Sequence, residues 1–306
     1  VNSPLVVNLG VGVDSVALLI GLHQREIRPD LLLFADTGGE KPGTYAYLLI
    51  LAEWLARVGF PPVTVVRRPL GPAGYRTLEE NCWQNETLPS LAFSLKGCSL
   101  KWKADAMDAF LLGIKRGPNK RAPWLLMAEA ITTNIKVVKA IGYDAGPKDS
   151  RRGRNHAPSK RDRRFFEFWY PLREWGWDRA RCVAEILAAG LPVPLKSACF
   201  FCPASQPWEL YWLAGAHPEL FVRAIALEDR ARNGRHGLHT VKGLWGRDVE
   251  PGPRRKGKIG SWRRWAEQVG ILAGSRVVMP RVQLMLKAAE LRRAAGEPGP
   301  FPGGCS

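Results

Sequence analysis

No apolar run in this 306-residue sequence is long enough to cross a membrane. Its first residues also lack the charged, then apolar, then small-residue pattern of a secretory signal, so a cytoplasmic location is expected. There is no internal repeat and no general signature of disorder. Apolar residues make up 46% of the chain, enough to bury the core of one large α/β domain with an extension, or of two small domains. Acidic residues are scarce: 28 Asp and Glu stand against 45 Lys and Arg, a formal charge of +17. A surface this basic draws polyanions through long-range fields and counterion release, so nucleic acid is a natural partner. The alternative is an Arg-rich composition that serves only a nucleotide substrate. The six cysteines are irregularly spaced and do not make a disulfide framework; the close pair Cys199 and Cys202 suits metal ligation or redox chemistry.

Short β-rich runs alternate with helical patterns through the first two thirds of the chain. Residues 5–9, 31–35, 63–67, 136–142 and 165–171 read as strands, and residues 14–24, 44–58, 101–114 and 178–189 as helices. That order favours a parallel sheet with helices on both faces. Residues 148–164, KDSRRGRNHAPSKRDRR, are crowded with cations and read as a mobile loop, either solvated or ordered by an anionic ligand. Further on, PGPRRKGKIGSWRRWAEQ mixes turn residues, charge and tryptophan ahead of a last basic helix near 282–295, and the tail GEPGPFPGGCS is expected to fray. The expected division is an α/β domain over 1–215 and a mainly helical, basic extension over 216–306.

Ligands in open α/β sheets bind beyond the carboxyl ends of the strands. There the chain reads GVGVDS. Gly10 and Gly12 let the backbone turn sharply and bring N–H groups close to an anion, while Asp14 or Ser15 caps a helix whose dipole favours phosphate. A tight turn closed by such a cap is the plainer alternative. Neither the Walker lysine nor GxGxxG spacing is present. The second strand runs into ADTGGEKPGTYAYL, where Asp36, Thr37 and Glu40 either contact a ribose, adenine or metal, or form an acidic helix start. Tyr143 and Asp144, in IGYDAG, follow the fourth strand and either meet an acceptor or ribose or make an ordinary turn. In SACFFCPA, Cys199 and Cys202 are spaced to grip one ion or cluster, or else form a buried or redox pair. Two further ligands would be needed, and spacing alone does not separate a [4Fe–4S] cluster from Zn²⁺. Cys182 reads as packing, and His236 and His239 as surface residues.

GVGVDS followed by LLLFADTGGEKPGTYAYL, then IGYDAG, YPLREWGWD and GLPVPLKSACFFCPA, resembles the PP-loop ATP pyrophosphatases, in particular the phosphoadenosine phosphosulfate (PAPS) reductase-like branch, over about residues 1–215. The resemblance implies a Rossmann-like sheet and an adenine nucleotide, ATP or PAPS, held by Gly10, Val11, Gly12, Val13, Asp14, Ser15, Asp36, Thr37, Glu40 and Gly142. It implies Mg²⁺-assisted attack on the α-phosphate, with pyrophosphate leaving and an acceptor activated as its adenylate. Asp14, Ser15 and Asp144 would be the catalytic residues, acting by orientation and charge neutralisation. The family's Ser-Gly-Gly-Lys-Asp-Ser reads Gly-Val-Gly-Val-Asp-Ser here. A hydroxyl and the lysine are lost, which leaves phosphate charge to Lys41, Lys139 or the basic loop. The resemblance also nominates Cys98, with Cys82 as fourth ligand beside Cys199 and Cys202, and favours iron–sulfur over zinc.

Three functions follow from that likeness. The first is adenylation of an acceptor, plausibly DNA or tRNA, with sulfur transfer from a donor such as a cysteine desulfurase. The second is reduction of a sulfonucleotide, for which the family's Glu-Cys-Gly and Cys-Cys signatures are missing and Cys305 is the only counterpart of a tail thiol. The third is a non-catalytic nucleotide- or nucleic-acid-binding module, which Val13 in place of lysine favours.

Overall fold

The computed structural model describes residues 3–70, 73–115, 119–147, 149, 159–234, 242–252 and 256–297. His236, His239, Cys305 and most of the basic run at 148–164 lie outside the described residues. Five strands form where the apolar runs fall: β1 (Leu5–Leu9), β2 (Leu31–Ala35), β3 (Val63–Val66), β4 (Val137–Ile141) and β5 (Phe166–Trp169). They pair in parallel in the order β3-β2-β1-β4-β5. The chain builds outward from β1 to β3 and then returns to the other side of β1, so the sheet has a switch point between β1 and β4.

Helices α1 (Val13–Gln24), α2 (Pro42–Arg57) and α3 (Leu78–Gln84) follow the first three strands; α4 (Asp105–Leu112) and α5 (Leu125–Thr132) precede β4. Alternation along the strands feeds two cores. Leu5, Val7 and Leu9 turn toward α1, α2 and the later α8 (Arg179–Ala188), whereas Val6, Leu31 and Leu33 turn toward α4 and α5. Both sheet faces are therefore covered, which is why β1 and β2 read as nearly continuous apolar runs rather than alternating ones. Each large side chain so buried contributes roughly 1.5–3 kcal/mol.

Two stretches differ from the sequence expectation. The helix anticipated from residue 101 begins as a π-helical turn, Cys98–Ala104, before α4; with this wider turn Cys98 meets Ser90 and Lys103 reaches Glu40. Within the basic run, α6 (Lys160–Phe165) is an ordered helix because Ser159 and Asp162 close a capping box at its start.

A short α7 (Pro171–Glu174) leads into α8, and a third core follows, built by α9 (Pro207–Ala216), α10 (Pro218–Asn233), α11 (Trp262–Gln268) and α12 (Arg281–Ala294) with α3 and the cysteine segment. Two two-stranded ribbons, β6 (Lys242–Gly243) with β7 (Gly246–Arg247) and β8 (Leu272–Ala273) with β9 (Arg276–Val277), fill the connections. Helix α9 is buried all round from Trp208 to Gly215, with α10 and α12 packed against it. This core thus draws on residues from both sides of position 215.

Candidate functional site

The loop after β1 and the loop after β4 meet at the switch point. Gly142 makes the meeting possible: a Cβ there would lie 2.9 Å from the carbonyl carbon and oxygen of Asp14 and 3.0 Å from the Ser15 Cα, all main-chain atoms that cannot step aside. Beyond it the chain turns at Asp144, whose Oδ1 accepts from the Gly146 N–H at 2.8 Å. One carboxylate oxygen each from Asp14, Asp144 and Asp149 then lies within 4.8 Å of the others. Asp14 and Asp144 were expected here. Asp149 was not, being an acid inside a basic run; it is buried, and the Arg173 Nη2 donates to its main-chain carbonyl.

Arg179 reaches this point from α8. Burial pushes the Asp14 carboxyl above its ordinary pKa; Arg179, whose Nη1 lies 2.9 Å from Oδ1, offsets part of that, and Asp144 and Asp149 add to the rise. An all-oxygen donor set suits a hard cation such as Mg²⁺, which takes oxygens at about 2.1 Å in an octahedron.

The glycine loop itself is shaped differently from expectation. Gly12 caps α1 at φ −105°, and the left-handed position falls on Val11, at φ 57°. A β-branched residue held there stores about 1–3 kcal/mol of strain, and full burial of the Val11 side chain in the sheet core holds it in place. Val13 is likewise buried, so both valines can offer a ligand only main-chain groups. Ser15 Oγ accepts from the Gly12 N–H at 3.1 Å and donates to the Gly12 carbonyl at 3.0 Å, so this hydroxyl braces the loop. The N–H groups of the first helical turn remain the anion donors that a helix start provides.

After β2, Asp36 accepts from the Gly38 N–H and the Tyr45 hydroxyl, each at 2.7 Å, and from Arg67 at 2.7 and 2.9 Å. Burial would raise its pKa, but these donors together hold it below the ordinary value. Asp36 therefore fixes the shape of its own loop. Thr37 places its hydroxyl 3.1 Å from the Cys199 sulfur. Glu40, fully buried at its side chain, is paired with Lys103 at 2.8 Å and accepts from Ser197 Oγ at 3.3 Å. Main-chain bonds join Lys41 to Ala198 and Phe200 to Gly39, stitching the cysteine segment to this loop. A Cβ on Gly12 would sit 3.9 Å from the Ser197 nitrogen, so the same segment lies beside the glycine loop.

Neither lysine expected to balance phosphate is placed to do so. Lys41 is buried against Glu209, which Lys196 also contacts at 3.0 Å. Lys139 points to the opposite sheet face, where it pairs with Asp108 among the α4 side chains; burial lowers its pKa despite that partner. Among the described residues, Arg179 on α8 is the cation that pairs with Asp14 at the glycine corner, a role that its place 165 positions from Asp14 hides in the sequence.

The four candidate thiols are not drawn into one tight tetrahedron. Among the described residues, no three of them have sulfurs within 4.8 Å of one another, whereas a zinc ion at about 2.3 Å from each sulfur needs separations of about 3.8 Å. Cys199 and Cys202 share one turn through the Cys202 N–H to Cys199 carbonyl bond, and Cys98 lies 3.1 Å from Ser90 Oγ. All four belong to or pack against the third core. Burial raises the pKa of Cys82, Cys199 and Cys202, with Cys98 adding to the rise at Cys82 and Glu40 to that at Cys199. Cys182, which read as packing, is buried in the α1–α8 core and pushed up to about 12 by burial.

No known family model matches the sequence, and no curated protein matches it. Among the described residues no helix is long and apolar enough to cross a membrane.

Proposed function

We propose that the protein is an ATP pyrophosphatase of the PAPS reductase-like kind, which binds an adenine nucleotide and transfers its adenylyl group to an acceptor, with nucleic acid (DNA or tRNA) as the acceptor class. The observation that carries this reading is the convergence of Asp14, Asp144 and Asp149 at the β1/β4 switch point, directly beside a glycine loop that opens a helix. Nucleotide phosphates would lie over the first turn of α1, with Arg179 and Arg173 as the nearby cations. Mg²⁺, held by the three aspartates, would supply charge neutralisation at the α-phosphate. The protein's own part is to orient the nucleotide through main-chain donors, to aim the phosphates at the acceptor side, and to keep Asp14 ionised through Arg179.

Among the described residues no three of the candidate sulfurs lie close enough together for a single zinc ion. Iron–sulfur, the group the family likeness favours, is proposed for Cys82, Cys98, Cys199 and Cys202. It would bind or pass on sulfur, or hold the third core to the site. The buried thiols must lose protons to bind it, so loading should weaken as pH falls. Cys305, the tail thiol of the sulfonucleotide reductase reading, lies outside the described residues. The non-catalytic reading is favoured by one observation, the burial of Val13 where the family has its lysine.

The deciding experiment is pyrophosphate release from ATP and Mg²⁺, with and without mixed nucleic acid, by anaerobically purified protein and its Asp14→Ala variant. Release by the native protein and a loss of about a hundredfold or more in the variant is the expected result. No release under any of these conditions supports the non-catalytic module, and equal release by the variant removes Asp14 from the mechanism. Metal analysis of the same preparation should find iron and sulfide; stoichiometric zinc would overturn that assignment.

A further inference from the structure

A pocket of ≈ 290 Å³ opens between the segment at 91–94, the residue after the second cysteine of the close pair, and the β6–β7 ribbon. Lys242, Arg247 and Lys258 line it, together with Trp245, Leu91 and Pro203. What sets these cations apart is their surroundings. Several neighbouring arginines of the extension are neutralised: Arg232 by Asp248, Arg263 by Asp229 and Arg264 by Glu250. None of the three pocket cations has an ion-pair partner among the described residues; Lys242 stands only over the Phe93 ring, 4.8 Å from its centroid. The acids beside the ribbon, Glu228, Asp248 and Glu250, are already engaged, and these three cations line one concavity.

The pocket is held rigidly against the cysteine module. Pro203 follows Cys202 directly, and the Trp245 indole N–H donates to the Ser205 carbonyl at 2.8 Å. Trp245 is packed in turn edge-on against Trp262 and Trp265. Beneath the ribbon, Glu228 accepts from the Leu244, Trp262 and Arg263 N–H groups and from Ser261 Oγ, which fixes the chain that presents Lys242 and Trp245. Three free cations on such a preformed frame, with apolar walls beside them, are what a phosphodiester backbone requires.

We propose that Lys242, Arg247 and Lys258 form the docking site for the phosphate backbone of a nucleic-acid acceptor, beside the Cys199–Cys202 segment. This rests on the reading of the acceptor as nucleic acid, and it assigns that role to a surface whose lining shares no residue with the nucleotide corner. Each phosphate neutralised on a single strand contributes about 0.7 to the slope of log K against log salt.

The test is fluorescence anisotropy with a labelled 30-nucleotide single strand and no ATP, across a NaCl series, for the native protein, the Lys242→Gln/Arg247→Gln/Lys258→Gln variant, each single variant, and Arg264→Ala as control. The expected result is salt-dependent binding. The triple variant should lose at least tenfold in affinity, with a slope smaller by about 2, and Arg264→Ala should change little. Near-UV circular dichroism checks that the third core is intact; if the triple variant is misfolded, the three singles decide by whether each weakens binding. Absence of salt-dependent binding in the native protein, or unchanged affinity in the folded variants, overturns the proposal. So does displacement of the strand by a polyglutamate peptide or by inorganic phosphate as effectively as by unlabelled strand at matched ionic strength. The pyrophosphate assay without nucleic acid reads the nucleotide corner alone, so failure there and failure here are separable.

Discussion

Asp14 is where the demands of folding and of chemistry oppose each other. Its folded-state pKa lies above that of the unfolded chain, chiefly through burial, so its contribution to stability is present below about pH 3.8 and is lost as pH rises through the folded value. At neutral pH the charged carboxylate is a burden on the fold. Asp14→Asn should therefore melt at the same temperature as the native protein or higher at pH 7 without metal, with the advantage gone at pH 3. Mg²⁺ at a hundredfold excess over its Kd should stabilise the native protein by about 2.7 kcal/mol and leave the variant nearly unmoved. Thermal melts at the two pH values, with and without Mg²⁺, check both statements. Gly142 carries the complementary constraint. Gly142→Ala sets a methyl against the Asp14 main chain, and should cost about 1–3 kcal/mol by denaturant titration while parting the aspartates and abolishing the Mg²⁺ effect.

Among the elements, the loops after β1, β2 and β4 depend on neighbours that brace them from outside the sheet. Gly38, at φ 75°, packs on Thr77, whose side chain starts α3 by accepting from the Glu80 N–H at 3.0 Å while Glu80 returns a bond to the Thr77 N–H at 3.1 Å. Thr77→Ala should cost about 1 kcal/mol through this lost cap, and should also loosen the loop that carries Asp36 and Thr37. Hydrogen exchange at the amides of Gly38 and Leu78, the latter bonded to the Thr37 carbonyl, would read the loosening directly. The π-helical turn at Cys98–Ala104 plays a similar part. It sets Lys103 on Glu40, where burial would lower the ammonium's pKa but Glu40 and then Cys199 raise it, so a stable cation stands beside the cysteine segment.

For the molecule as a whole, the third core is the element of unity. Because α9 is buried on every side by partners that include α10 and α12, a chain cut after residue 216 would expose Leu210, Tyr211, Trp212 and Leu213. Such a fragment should be insoluble or bind a hydrophobic dye strongly, whereas independent folding would give a sharp melting transition and ordinary solubility. The extension thus completes the core that carries the cysteines, and it also supplies the pocket cations that have no ion-pair partner among the described residues.

Local sequence was enough to place the five strands and the helices α1, α2, α4, α8 and α12, because apolar runs of four or five residues between turn signals, and caps such as Asp178 before α8, act within a few positions. It also marked Gly10–Ser15 and Gly142–Asp144 as strand-end loops, since a parallel sheet puts such loops on one edge. What only the tertiary structure decided depends on partners far apart in the chain: that Asp149 joins Asp14 and Asp144, that Arg179 and neither Lys41 nor Lys139 meets the corner, that Val11 takes the left-handed turn, and which basic residues are left without an acid. The physical reason is the same in each case. Strand register and helix packing bring together groups more than a hundred positions apart, and a charged side chain's role is set by the neighbour it finds there.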